Sequence, residues 1–544
     1  MSNNETTVSP QAIPEAAPGP ETPTSMFAAR VAENPDKKIV IDGDRSLTYL
    51  QAYEKSTSLA KHLHKLGLKP GDHAAVMTYN QLEHSIIRTA LMLLRVGMIM
   101  VGYRSKPLEI EYIVENSDSK MLIFYQEFEP LILPFKDRYT HLLPNGFISF
   151  GGEKIRGAIQ MEPLMENPPD VNLLNLPMPE TPAATMIYTS GTTGRPKGAA
   201  RMRGQRDADS PPIIPGEGGL TSEYAQKVRE ILKLQDNEIH LICCPIYHSA
   251  PFFFAMITSR GGGTRVYQRR FKPEEFLELV AKHKVTSTHL VPTMVIRLLQ
   301  LPESFTRNLD LSSLRTVICG AAPLFPEFKL AFLDRFGPIL YEYYGSTETG
   351  VNTLISPEEM RQRPSSVGKA LPLNELLIVD EAMNPVPDDK RGVLYIKGPM
   401  IMDGYYKNEE ETAKTFYGEY LTVGDVAIRD KEGYIYIVDR VKDMIIRGGV
   451  NIYPAEIEEV LNTMDGILDV AVVGKPHMEW GEIVVAFIVL DKGVKITEED
   501  IKNYCFERMS NHKIPVEFIF TDEIPRTPTG KILKRELREI LKAK

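Results

Sequence analysis

"YTSGTTGRPKGA", Tyr188 to Ala199, packs three glycines, three threonines, a serine, an arginine and a lysine into twelve residues. Glycines permit positive φ, so successive backbone N–H groups can converge on one anion. The hydroxyls add donors and Lys197 adds a point charge. An NTPase P-loop requires G-x-x-x-x-G-K-[ST]. Counting on from Gly191 or Gly194 reaches Pro196 or Ala199, so that pattern fails. The stretch is either a polar surface turn or an anion cradle of another kind, and patterns elsewhere in the chain decide between them.

Three further stretches fit the same ligand. "YEYYGSTETG" (Tyr341–Gly350) sets an aromatic pair, a glycine, two hydroxyl residues and a carboxylate within ten positions. An aromatic ring can stack on a purine, a hydroxyl can donate to a phosphate, and Glu348 offers the oxygen ligand that Mg²⁺ prefers. By itself it also reads as an aromatic strand followed by a turn. In "LTVGDVAIRDKEGYIYIVDRVKDMIIRGGVNIYPAEIE" (Leu421–Glu458), Asp425 suits both hydroxyls of a ribose and Arg440 suits the same sugar. Taken singly, Asp425 is a turn residue and Arg440 a surface ion-pair partner. "PRTPTGKILKR" (Pro525–Arg535) is a turn that presents Lys531, and a lone lysine there would ordinarily be solvated.

Length and composition set the frame. A chain of 544 residues is too long for one core and divides into domains. Apolar content of 43% and charged content of 25% are those of a globular protein. Lysines and arginines number 63 against 72 acidic residues, a formal charge of −9, which argues against a dedicated nucleic-acid binder. Cys243, Cys244, Cys319 and Cys505 lack metal spacing and sit among apolar neighbours, as buried reduced thiols do in a cytoplasmic setting. The first 26 residues, rich in proline and polar side chains, read as a disordered tail without signal-peptide features. "IIRTALMLLRVGMIMVG" (Ile86–Gly102) carries Arg88 and Arg95 and is short for a membrane span, so a buried helix is expected and peripheral membrane contact stays open.

From Phe27 to about residue 440 helical patterns alternate with short β-rich runs, the signature of an α/β body. Leu59, Leu63 and Leu66 keep helical spacing up to Gly67. "TSTHLVPT" (Thr286–Thr293) and "LRTVICGAAP" (Leu314–Pro323) read as strands running into loops. "RMRGQRDADSPPIIPGEGG" (Arg201–Gly219) interrupts the pattern as a long polar loop. Beyond Asp439–Asp443 the organisation changes. Pro454 opens a helix with Glu456 and Glu458 in its first turn, Thr497 with Asp500 caps another, and a basic helix ends the chain. The expected division is a tail over 1–26, a large domain over 27–440 and a small α+β domain over 441–544.

Together the four blocks, in this order and spacing, resemble the acyl-adenylate-forming superfamily of acyl-CoA synthetases, luciferases and peptide-synthetase adenylation domains, with fatty-acid–CoA ligases nearest. The resemblance covers nearly the whole chain from about residue 27. It implies a large N-terminal domain of two α/β subdomains and a β-barrel, followed by a small mobile α+β domain. It implies that Thr189, Ser190, Gly191, Thr192, Thr193, Gly194 and Lys197 cradle the β- and γ-phosphates of ATP. Gly320, Ala321, Ala322 and Pro323 match the strip along adenine, Tyr344 the stacking ring beside Gly345, Thr347 a phosphate contact and Glu348 the Mg²⁺ ligand. Asp425 and Arg440 match the ribose pair, and Lys531 matches the lysine bridging the attacking carboxylate and the α-phosphate. Lys442 falls at the hinge position, Gly449 beside the pantetheine tunnel, and His248 at the gate to the acyl site.

The activity so implied is ATP-dependent ligation of a carboxylic acid to CoA through acyl-AMP, with release of pyrophosphate. The chain ends soon after Lys531, so a fused carrier domain is not expected and CoA is the favoured acceptor over a separate carrier protein. "SAPFFFAMI" (Ser249–Ile257) suggests an apolar wall and a medium- to long-chain fatty acid, with an aryl, alicyclic or steroid-side-chain acid as the alternative. Two departures from the family pattern stand out: Val423 replaces the threonine of T-G-D, and Arg201–Gly219 replaces a compact segment. Oligomeric state is left open.

Overall fold

The computed structural model describes residues 23–177, 179, 183–189, 196–201, 222–448, 450–491, 493–527 and 530–543. Residues divide into two compact units. One holds residues up to 289 with 307–316 and 402–412, and the other holds 290–306, 317–401 and 413–544. The last hundred residues fall in the same unit as the preceding antiparallel sheet. The first helix, Pro23–Glu33, begins inside the stretch read as a tail.

In the first unit, strands His73–Met77, Gly97–Val101 and Ser119–Tyr125 run parallel, and the first two are buried at every position. Parallel strands covered on both faces lose the polar alternation of half-exposed ones, which is why "HAAVM" and "GMIMV" are continuous apolar runs. Thr185–Thr189 joins Gly97–Val101 in parallel and pairs antiparallel with Lys197–Arg201, which is flanked in turn by the short edge strand Gly404–Tyr405. A second parallel set brings together Ile239–Ile242, Thr264–Tyr267 and Lys38–Asp42. The run Ile86–Gly102 divides between helix Leu82–Leu93 and strand Gly97–Val101, so the single buried helix expected there is half strand. Among the described residues no helix is long and apolar enough to cross a membrane. Helix Tyr49–Lys65 stops where Gly67 takes φ +109°, as the leucine spacing predicts.

The second unit contains strand Leu340–Ser346, parallel to Thr316–Cys319 and antiparallel to Gly350–Ile355. A six-stranded antiparallel sheet, the element expected as a barrel, contains Arg391–Lys397, Asp425–Arg429 and Ile435–Arg440. The C-terminal sheet is built on the long hairpin Ile467–His477 and Gly481–Leu490. Its period-2 pattern fills two cores at once. Val470, Val472, Val484, Ala486 and Ile488 face Ile457, Leu461 and Ile501, while Ala471, Val473, Val485 and Phe487 face Leu537 and Leu541. Helices therefore cover both faces of that sheet. Pro454 stands in the first turn of helix Pro454–Asn462, and Thr497 with Asp500 forms a reciprocal capping box. Glu456 lies in the first turn of its helix as expected. Glu458 does not. It is buried and paired with Lys534 at 2.9 Å, so it serves packing rather than the macrodipole.

Candidate active site

Strand pairing assembles the sugar-binding candidates. Asp425 and Arg440 are direct cross-strand partners, and Arg440 Nε donates to Asp425 Oδ1 at 2.8 Å. The second carboxylate oxygen accepts from the Tyr344 hydroxyl at 2.6 Å. Asp425 is buried, so two charge-assisted contacts satisfy it where water does not. The Asp425 charge holds the Arg440 guanidinium above its ordinary pKa, and burial followed by Asp425 raises the Tyr344 phenol. Thr422, next to the aberrant Val423, supplies the turn hydroxyl: Gly424 N donates to Thr422 Oγ1 at 3.0 Å. Gly424 itself sits at φ +80°.

The aromatic strand explains its own glycines. A side chain at Gly345 would stand 2.1 Å from the Gly350 carbonyl oxygen, at the bulge where the register shifts. A side chain at Gly320 would meet the Tyr343 ring at 2.4 Å. Beyond it Ala321 is held at φ +73°, so Gly320–Pro323 is a bent strip leaving the strand end. The turn bearing Thr347 and Glu348 is fixed from beneath by Ser346 and Thr349, whose hydroxyls lie 2.9 Å apart.

Lys531 reaches this group on a narrow hairpin closed by the bridge Arg526–Ile532. Burial and the charge of Arg440 lower its pKa, Lys442 acts in the same sense, and Glu348 and Asp425 oppose them. The structure thus brings Lys531, Glu348, Asp425, Arg440, Lys442 and Tyr344 into one electrostatic neighbourhood. Lys442, the hinge candidate, lies in the short turn Val441–Asp443. Gly449 falls outside the described residues.

The other candidates lie in the first unit. Thr189 and Lys197 are cross-strand partners. Ser190, Gly191, Thr192, Thr193 and Gly194 fall outside the described residues, as does most of Arg201–Gly219. Lys197 forms an ion pair with Glu411 and lies 5.3 Å from the centroid of the Tyr405 ring. Nothing in the sequence pattern pointed to Glu411, which is remote in the chain and one of three consecutive glutamates. His248 precedes helix Ser249–Arg260 and its ring lies 4.2 Å from that of Tyr247. Phe252, Phe253 and Phe254, expected as an acyl wall, are buried: Phe254 stacks on His289 at 5.2 Å and Phe253 contacts Tyr224. Phe252 also lines a small cavity with Arg88, Met92 and Met98.

Among the described residues no group of three or more His, Cys, Asp or Glu side chains is placed to hold a metal ion. A single carboxylate at Glu348 fits Mg²⁺ of the kind that keeps its waters and is shared with substrate phosphates.

A family model for AMP-binding enzymes matches residues 27–406, and a model for the AMP-binding enzyme C-terminal domain matches residues 456–531. The chain is 30% identical over 513 residues to 2-succinylbenzoate–CoA ligase of Bacillus licheniformis, covering 93% of this chain and 98% of that protein. It is 30% identical over 513 residues to feruloyl-CoA synthase of an Amycolatopsis species, covering 94% and 97%. The solved o-succinylbenzoate CoA synthetase of Bacillus subtilis, in complex with an acyl-adenylate intermediate, matches with a TM-score of 0.77 at 27% identity, covering 94% of this chain and 97% of that one. The chain belongs to the AMP-binding enzyme family. It is an AMP-forming acid–thiol ligase that uses ATP and CoA, with Mg²⁺ as the metal typical of the family.

Proposed function

We propose that the enzyme activates an aryl carboxylic acid as its acyl-adenylate and transfers the acyl group to CoA. The observation that carries the site assignment is the clustering of Lys531 with Glu348, Asp425 and Arg440. Attack of a carboxylate on the α-phosphate of ATP brings two anions together. The Lys531 ammonium offsets that repulsion where charge develops in the transition state. Asp425, held by Arg440 and Tyr344, accepts from the ribose hydroxyls. Mg²⁺ at Glu348 would supply charge neutralisation for the phosphates. Thr189 to Lys197 and Thr347 contact the phosphates, Gly320–Pro323 lies along adenine, His248 gates the acid, and Gly449 borders the thiol's path. The residues after the Lys442 hinge move between the two half-reactions.

The aryl acids in the names of the relatives above favour an aryl acid over the fatty acid that the sequence suggests. CoA rather than a carrier protein is the acceptor in this reading. Four buried cysteines held as thiols suit a cytoplasmic location. The test is pyrophosphate release against a panel of ferulate, 2-succinylbenzoate, benzoate and C8–C16 fatty acids, with and without CoA. Release that depends on an aryl acid but not on CoA is expected. Preference for fatty acids, or ADP in place of AMP, would overturn the reading.

A further inference from the structure

The loop that presents Lys531 is held at the backbone groups on both sides of that residue, by Arg526 and Thr527. Arg526 Nη1 donates to the Gly530 carbonyl oxygen at 2.7 Å. The amide N–H of Lys531 donates to Thr527 Oγ1 at 3.1 Å. These two contacts grip the opposite ends of one peptide plane, that between Gly530 and Lys531. The Lys531 carbonyl in turn accepts from Thr527 N at 2.7 Å. With its preceding peptide plane and its own carbonyl both fixed, the direction of the Lys531 Cα–Cβ bond is fixed too.

Arg526 is itself anchored. Its Nη2 donates to Asp469 Oδ1 at 2.6 Å and Oδ2 at 2.8 Å, and its Nε approaches Oδ2 at 3.3 Å. Asp469 lies on strand Ile467–His477, beside the register shift between Ile467 and Asp469. The forked guanidinium thus ties the loop to the most extensively paired hairpin of the C-terminal sheet. Gly530 sits at φ +81°, and a side chain there would stand 3.1 Å from Thr293 Oγ1, so the loop also makes a close approach on its other side. A flexible lysine side chain delivers its charge to one place only if its backbone does not move.

The geometry points to Arg526, seated on Asp469, as a positioning residue for Lys531. It touches no substrate and acts through the Gly530–Lys531 peptide. This inference rests on the role proposed above for Lys531. A displacement of about 1 Å in a reacting group costs on the order of 100-fold in rate.

The experiment measures single-turnover acyl-AMP formation using whichever of ferulate, 2-succinylbenzoate and dodecanoate is fastest with the wild-type enzyme. Transfer to CoA from the matching supplied acyl-AMP is measured in parallel. Variants are Arg526→Ala, Arg526→Lys, Asp469→Asn, Lys531→Ala and the double variant Arg526→Ala/Lys531→Ala. Arg526→Ala is expected to lose roughly 10- to 100-fold in acyl-AMP formation while transfer stays within about twofold. In the Lys531→Ala background it should cost nothing more, because there is no ammonium left to position. Arg526→Lys, which keeps the charge but not the fork, and Asp469→Asn should fall between and serve if the alanine variant does not fold. Equal losses in both half-reactions, or losses that multiply with those of Lys531→Ala, would overturn the inference. If Lys531→Ala is crippled but every Arg526 variant adenylates normally, the inference alone fails. If Lys531→Ala adenylates normally, the reading of Lys531 fails first.

Discussion

Sequence directs both Lys197 and Lys531 to anions, and both stand beside antiparallel pairings, yet their electrostatic states are opposite. Lys197 is already neutralised by Glu411 and lies beside the Tyr405 ring. Lys531, among the described residues, has no carboxylate within ion-pair distance, and burial with Arg440 and Lys442 nearby depresses its pKa. Glu348 and Asp425 only partly offset that depression. An ammonium compensated in the ground state gains little when an anion arrives, whereas an uncompensated one gains the full interaction at the moment of reaction. A third lysine marks the far limit of compensation: Lys329, fully buried, pairs with buried Glu342 at 2.5 Å.

The sharpest way to break this contrast is Lys531→Ala. We expect acyl-AMP formation to fall by roughly 10²- to 10³-fold or more, measured as acid-dependent pyrophosphate release in a single turnover. A loss no larger than that of Lys197→Ala would erase the distinction between the two lysines. Next comes the compensated extreme. Lys329→Met strands a carboxylate in the core and should lower stability by about 3 kcal/mol, read from denaturant unfolding, with much of it restored in Lys329→Met/Glu342→Leu. Unchanged unfolding would mean that Glu342 carries no charge to compensate. The smallest effect belongs to Glu411→Gln. Freeing a partly buried lysine should lower the KM for MgATP by roughly two- to fivefold, the worth of a marginal ion pair. A raised KM would instead make Glu411 a support for Lys197.

The contrast also separates what sequence could disclose from what it could not. The meeting of Asp425 with Arg440 was legible because the two lie close in the chain and strand register alone sets them opposite each other. The Thr497–Asp500 cap and the stop at Gly67 were legible for the same reason. Glu411 was not, because its partner lies 214 residues away and a run of glutamates reads as a solvated face. Arg526–Asp469 was hidden likewise, across 57 residues. Ile86–Gly102 was misjudged because a buried parallel strand and a buried helix share one composition.

If a desolvated and only partly compensated ammonium at Lys531 drives acyl-AMP formation, the pH dependence of kcat/KM for that step, which reports the free enzyme, carries its signature. The charged form is the active one and the folded-state pKa is lowered, so activity should be full at lower pH. It should decline on the alkaline side beginning below the ordinary lysine range. In Lys531→Arg, whose guanidinium stays charged throughout, that alkaline limb should vanish even if the rate is lower. Alkaline limbs that coincide in the wild-type enzyme and Lys531→Arg would contradict the account.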